Sequence, residues 1–257
     1  MISIVLNEYA WSEKALRERE LGDRPSETIG RLARYFLYIG LSRKETEKKI
    51  AEFLVECDPR IVLLDWQEII ERSIRLAKKR PLLVLDSISI TQPEMNRIDA
   101  LDGRQLRRIA FTLLCIAKYK CAVVGGRNMW VSTPDNEIMK MANVHTSIAR
   151  QCVLFTRLRD LGMIRFSRKV DNTSVEVLFA EDGETAMRVS DFRNLGYQYL
   201  MYHGEDYFVC SECGITERGK SSSSRGPKKK YCASCAAKIH MRQIVNSVMK
   251  GRQKKSS

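Results

Sequence analysis

The sequence predicts an α+β fold, mostly α: an N-terminal helical bundle, a central set of helices closed by a hairpin, and a C-terminal module gathered by four cysteines. Three observations predict it. Apolar residues recur at helical spacing through most of residues 1–80. Period-two alternation is confined to short stretches, above all Met163 to Lys169 and Val175 to Phe179. Cys210, Cys213, Cys232 and Cys235 stand as C-x2-C-x18-C-x2-C, two knuckles at metal-ligand spacing. At 257 residues the chain is long enough for two or three small domains.

Residues 1–80 form the bundle. Asp23-Arg24-Pro25 opens a helix whose apolar face is Ile29, Leu32, Ala33, Phe36 and Leu37, and Gly40 stops it. Ser42 and Glu45 make a capping box for the next helix, which carries Ile50, Phe53 and Leu54 and ends before Cys57-Asp58-Pro59. A further helix spans Trp66 to Lys79, with Trp66, Ile69, Ile70, Ile74 and Ala77 inward. The run from Gly40 through Ser42, Glu45, Phe53, Cys57-Asp58-Pro59 and Trp66 to Ile74 resembles the helical module that follows the catalytic core of some primases and occurs in phage and plasmid replication proteins. That resemblance implies a replication context and a partner surface for replication or transcription proteins. It implies no priming activity, because no primase catalytic constellation is present. Residues 81–103 are expected to be a linker with a short strand and helix.

Charge locates the working surface. The net charge is +13, yet residues 1–103 hold 17 Lys+Arg against 18 Asp+Glu, and residues 170–202 hold 2 against 6. The excess lies in residues 104–169, with 13 against 3, and in residues 203–257, with 12 against 4. Two basic blocks suit a polyanion, since each cation placed on a phosphate releases condensed counterions. Nucleic acid is therefore the expected partner. A membrane is not, because no apolar run approaches the ~20 residues of a spanning helix.

Within the first basic block, Arg104 to Lys120 reads as a buried helix through Leu106, Ile109, Ala110, Leu113, Leu114, Ile116 and Ala117. A short strand follows at Met129 to Thr133. Thr133 or Asp135 caps a helix to Asn143, and a turn at Asn143 to Thr146 leads to a helix ending at Leu161, before Gly162. The alternating stretches at Met163 to Lys169 and Val175 to Phe179 then make a hairpin turned by Asp171 to Ser174. This order resembles the winged helix-turn-helix family over residues 104–180. The resemblance implies that the third helix enters the DNA major groove by its N-terminal residues, here Thr146, Ser147, Arg150 and Gln151. Arg150 would pair with guanine and Gln151 with adenine, while Lys140, Arg157, Arg165, Arg168 and Lys169 would meet phosphate.

Residues 181–206 are read as a connecting segment and residues 207–249 as the cysteine module, starting with the strand Tyr207-Phe208-Val209. Four thiolates fill a tetrahedron, so the module is expected to hold one structural Zn²⁺ with no open coordination position. A helix running on from Cys232 and Cys235 resembles a treble-clef finger more than a zinc ribbon. Arg225, Lys228, Lys229 and Lys230, in the loop between the knuckles, are accessory nucleic-acid contacts, and residues 250–257 form a basic tail expected to be disordered in isolation. Gly214 to Ser221 matches the phosphate-loop pattern G-x4-G-K-S by letters, but a cysteine precedes it and a serine run follows, without the strand and helix that such a loop needs. Cys57, Cys115, Cys121 and Cys152 sit singly among apolar residues as core positions.

The start of the chain lacks the pattern of a secretory signal, and paired thiols for metal suit a reducing cytoplasm. No paired nucleophile and base appears, so the chain reads as a binding protein and not an enzyme. The expected function is sequence-specific double-stranded DNA binding in a phage or mobile element, in replication initiation. A transcriptional regulator is the alternative; an RNA-binding factor and an ATP-dependent enzyme stand behind both. The oligomeric state stays open.

Overall fold

The computed structural model describes residues 4–126, 129–168, 174–219 and 228–255, the last eight of them as backbone. Two compact units result, residues 4–86 and residues 87–257.

The first unit holds α1 (Glu8–Glu18), α2 (Pro25–Tyr38), α3 (Arg43–Cys57) and α4 (Leu63–Ala77). Its core is the stripe seen in the sequence, with Ile29, Leu32, Phe36, Ile50, Leu54, Ile70 and Ile74 buried together. Ser42 and Glu45 form the reciprocal capping box of α3. Helix α1 carries no clear sequence signal, and its attachment is polar. The nearly buried Glu8 carboxylate accepts from the Arg34 guanidinium and lies 3.9 Å from Arg31, while its Oε2 also accepts from the Leu83 amide at 3.2 Å. Leu85 donates to the Leu6 carbonyl at 3.0 Å, so the segment after α4 returns beside the start of α1.

The second unit is built around one helix. β1 (Ile88–Thr91) and α5 (Gln92–Asp99) precede α6 (Arg104–Val124), and β2 (Trp130–Val131), α7 (Asp135–Met141), α8 (Ile148–Asp160), β3 (Ile164–Phe166) and β4 (Val175–Val177) follow. β5 (Thr185–Val189), α9 (Leu195–Tyr202), β6 (Tyr207–Val209), β7 (Thr216–Arg218) and α10 (Ala233–Lys255) complete it. From Ile109 to Ala117 every side chain of α6 is fully buried. A helix apolar all round must be covered all round. Its cover comes from α5, α7, α8, α9 and the small sheets.

Three antiparallel sheets result: β2-β4-β3, β1-β5 and β6-β7. The first joins the hairpin to the strand before α7, with Arg165 opposite Glu176 and Val131 opposite Val175. The second sets a short strand within residues 81–103, the stretch expected to hold a short strand and helix, against a strand within residues 181–206, the stretch read as a connecting segment. Ile88 pairs with Val189 and Ile90 with Met187, so these stretches form one ribbon within the unit. The α10 backbone runs helical through Lys255. No proline interrupts that stretch.

A buried carboxylate closes the ribbon against α6. Glu94, fully buried, accepts from the Thr91 amide at 2.8 Å, the Glu181 amide at 3.0 Å and Lys118 Nζ at 2.6 Å. Lys118 Nζ also donates to the Ser89 carbonyl at 2.8 Å. Glu94→Ala leaves two amides without their acceptor and Lys118 without its counter-charge. It is expected to lower the stability of the second unit by about 3 kcal/mol, read from urea unfolding.

Candidate nucleic-acid interface and metal centre

The four cysteines converge. All four sulfurs lie within 4.8 Å of one another, and Cys213 Sγ is 3.7 Å from Cys232 Sγ. Bonds of about 2.3 Å to a tetrahedral ion require sulfurs about 3.8 Å apart, so the donor set fits a metal. Its geometry is imposed by the backbone. Gly214 takes φ +76° and donates to the Cys210 carbonyl at 2.9 Å, which closes the first knuckle. Ser211 donates to the Lys230 carbonyl at 3.1 Å and joins the two knuckles, and the second lies at the start of α10.

The thiols cannot all ionise unaided. Burial works against the Cys210 thiolate, but amides of Cys232, Cys213 and Glu212 bring its pKa down to about 6. Burial raises Cys232 and Cys235, and neighbouring sulfurs push Cys235 up further. A cation is what lets four sulfurs share this space as thiolates, and binding it must release protons. With all four positions filled by sulfur, such a site braces the chain and leaves no position for substrate.

The basic segment presents α8 to solvent along one side. Leu154, Phe155 and Leu158 are buried beneath it, while Ala149, Arg150, Cys152, Val153 and Arg157 are exposed. The helix begins two residues later than expected. Ser147 is its N-cap, accepting from the Arg150 amide at 3.4 Å, so Thr146 and Ser147 precede the first turn instead of lying in it. Gln151 is half-buried and its Nε2 sits 3.4 Å from the Thr146 carbonyl. Of the four residues expected at base edges, Arg150 alone is an extended donor on the exposed helical face. Leu161, expected as the last residue of the helix, is 52% exposed, because the helix ends at Asp160 and the chain turns at Gly162 with φ +70°. Helix α7 starts after Pro134 without the side-chain cap expected from Thr133 or Asp135.

Counting charge by segment overstates what is free. Glu94, Glu176 and Glu205 lie outside residues 104–169 yet pair with Lys118, Arg165 and Arg104 inside it. Arg107 donates to the Leu101 carbonyl, Arg108 to the Asn143 carbonyl, Lys120 to Ser132 and Arg159 to Asp160. Arg165, expected on phosphate, is thus neutralised across the hairpin by the register that sets it opposite Glu176. Among the described residues Lys140, Arg150, Arg157 and Arg168 of this segment are exposed and form no ion pair. Lys228, Lys229 and Lys230 are exposed beside the second knuckle. Lys169 and Arg225 lie outside the described residues, as do Lys220 and Ser221 of the G-x4-G-K-S match. The described part of that match runs through the Gly214 knuckle into strand β7, which pairs with β6.

Sequence reasoning missed the polar link between these two sites. Asn143 ends the α7 turn with φ 54°, and Asn194 precedes α9 with φ 53°. Asn143 Nδ2 donates to Asn194 Oδ1 at 2.9 Å, and Asn194 Nδ2 donates to the Thr216 carbonyl of β7 at 2.9 Å. Asparagine at a turn is the available signal, since it tolerates left-handed backbone better than other side chains. Local pattern cannot supply its partner.

Comparison of the chain with family models, curated proteins and solved structures gave no match in any of the three. Geometry alone therefore supports the reading. Elemental analysis of the full chain is expected to find one bound metal ion, and Cys213→Ser to abolish its tight retention. Affinity for the ion should fall as pH falls, because protons compete for each sulfur, and competition titrations between pH 8 and 5 check the sign.

Proposed function

We propose that residues 104–180 form a winged helix that binds double-stranded DNA in a sequence-specific manner, with α8 as recognition helix and the β3-β4 hairpin as wing. The observation that carries this reading is the set of unpaired cations, Lys140 on α7, Arg150 and Arg157 on α8, and Arg168 at the end of the hairpin strand. Every other described cation of the segment donates to a carbonyl or hydroxyl of the protein or is met by a carboxylate. What is left lies on the two helices and the hairpin, where a duplex would meet this fold.

Arg150 reaches from the first turn of α8 and is the base reader, with guanine its natural partner. Exposed Ala149 and Val153 beside it offer apolar contact to a thymine methyl. Arg157, Arg168 and Lys140 serve phosphates, as does Lys169. The four-cysteine site holds one Zn²⁺ as a structural ion, and Arg225 with Lys228 to Lys230 adds contacts to the phosphate backbone. The protein acts by binding and not by catalysis.

Resemblance of the helical unit to the primase-associated module directs the reading to replication initiation in a phage or mobile element. The same DNA contacts serve a transcriptional regulator. Genome-wide mapping of binding sites distinguishes them: peaks at an origin support replication, and peaks at promoters support transcription.

Binding to duplex DNA should exceed binding to single strands and RNA in gel shifts, with log K falling against log salt at a slope of about −7 for the eight phosphate contacts, or about −4 where the four of residues 104–180 act alone. Arg150→Ala should relax discrimination at one base pair by about 1–3 kcal/mol. Arg168→Ala should weaken all sequences alike and reduce the salt slope by about 1. Arg165→Ala should leave base discrimination unchanged and weaken all sequences modestly, because it leaves the Glu176 carboxylate without its partner on the hairpin. Equal effects of Arg150→Ala on all sequences would remove α8 as the reading element.

A further inference from the structure

We propose that Asn143 and Asn194 form a latch that fixes the orientation of α8 and ties it to the four-cysteine module. This rests on the duplex-binding reading for its consequence, though not for its geometry.

The turn between α7 and α8 is held from three directions. Asn143 uses both ends of its side chain: Nδ2 donates to Asn194 Oδ1 at 2.9 Å, and Oδ1 accepts from the Tyr197 amide at 3.2 Å. Its carbonyl accepts from Arg108 Nη1 of α6 at 2.8 Å. Close packing backs the bonds. A Cβ added to Gly196 would stand 1.9 Å from the Ala142 carbonyl oxygen, so the first turn of α9 sits directly on the end of α7, and no larger residue would allow it.

From Asn194 the link continues into the metal module. Asn194 Nδ2 holds the carbonyl of Thr216, whose neighbour Ile215 packs on the cysteine cluster and accepts from the Cys210 amide at 2.9 Å. Beside it, Arg193 Nη2 donates to the Cys213 carbonyl at 2.5 Å. The path from the first knuckle to the helix-turn-helix turn is therefore one short run of hydrogen bonds. Both asparagines adopt positive φ, a conformation that the rest of the structure must enforce. Loss of the ion would release β7, then Asn194, then the turn that aims α8, without any cysteine touching DNA.

Hydrogen exchange on the metal-loaded full chain tests the latch by itself. Asn194→Gly keeps the positive φ and removes the amide group. It is expected to speed exchange of the Val144 amide about tenfold, with metal content and exchange of the Cys210 amide as in the parent. Specific duplex affinity should fall about tenfold. Chelation of the parent should produce the same loss at Val144, while chelation of Asn194→Gly adds little. Asn143→Gly, which also keeps its φ, should repeat the result. Parental exchange at Val144 in both variants, or a chelation effect as large in the variants as in the parent, overturns the latch. A parent that shows the latch by exchange but binds no duplex overturns the DNA reading and leaves the latch in place.

Discussion

Complete burial of the middle of α6, from Ile109 to Ala117, is the constraint from which the second unit follows. A helix whose side chains from Ile109 to Ala117 are all out of water cannot be satisfied by a partner on one face. Each apolar side chain contributes about 1.5–3 kcal/mol only if it is covered. The cover must come from both directions along the chain, and it does. Residues 88–99 fold back from before the helix, and after the hairpin β5 returns to pair with β1 while α9 packs on α6. This is why stretches that look like connections take part in the core.

The same helix explains the distribution of charge. Arg104, Arg107, Arg108, Lys118 and Lys120 extend from a buried rod, so each must find an acceptor among the elements packed on it. Burying an unpaired cation costs several kcal/mol, whereas an exposed ion pair contributes about 0–1 kcal/mol. Folding therefore uses the cations of α6, together with Arg159 and Arg165, and leaves Lys140, Arg150, Arg157 and Arg168 in water. Net charge by segment mixes the two populations. Only the second can exchange its counterions for phosphates.

Much of this was legible in the residues. The apolar stripes of α2, α3 and α4, the Ser42–Glu45 box, the strand at Tyr207–Val209 and the convergence of four cysteines all follow from local spacing. What was not legible depends on distance along the chain. Helix α1 hid because its buried side includes Glu8 and Ser12, polar residues that satisfy no periodicity rule. Strands β1 and β5 each look like a short extended stretch, and nothing near either one encodes the other. Pairing of Arg165 with Glu176 was within reach, since hairpin register sets them opposite. Matching of Lys118 to Glu94 was not, because it requires knowing that α5 packs on α6.

Why the link between the two sites should be made of amides is a question of charge. A salt bridge at the α7–α8 turn would place a carboxylate near the residues proposed to face phosphate, and its field would oppose a polyanion. An apolar contact would hold position but not direction. Asparagine supplies a donor and an acceptor at fixed geometry with no net charge, and it tolerates the positive φ that both turns need. Two such residues in series, backed by a glycine that brings α9 against the Ala142 carbonyl, fix the angle of α8 without altering its potential. On the proposed reading, a closed four-sulfur site would contribute to recognition at a distance, because the folding energy gained from an ion held there would stabilise the strand on which the second asparagine rests.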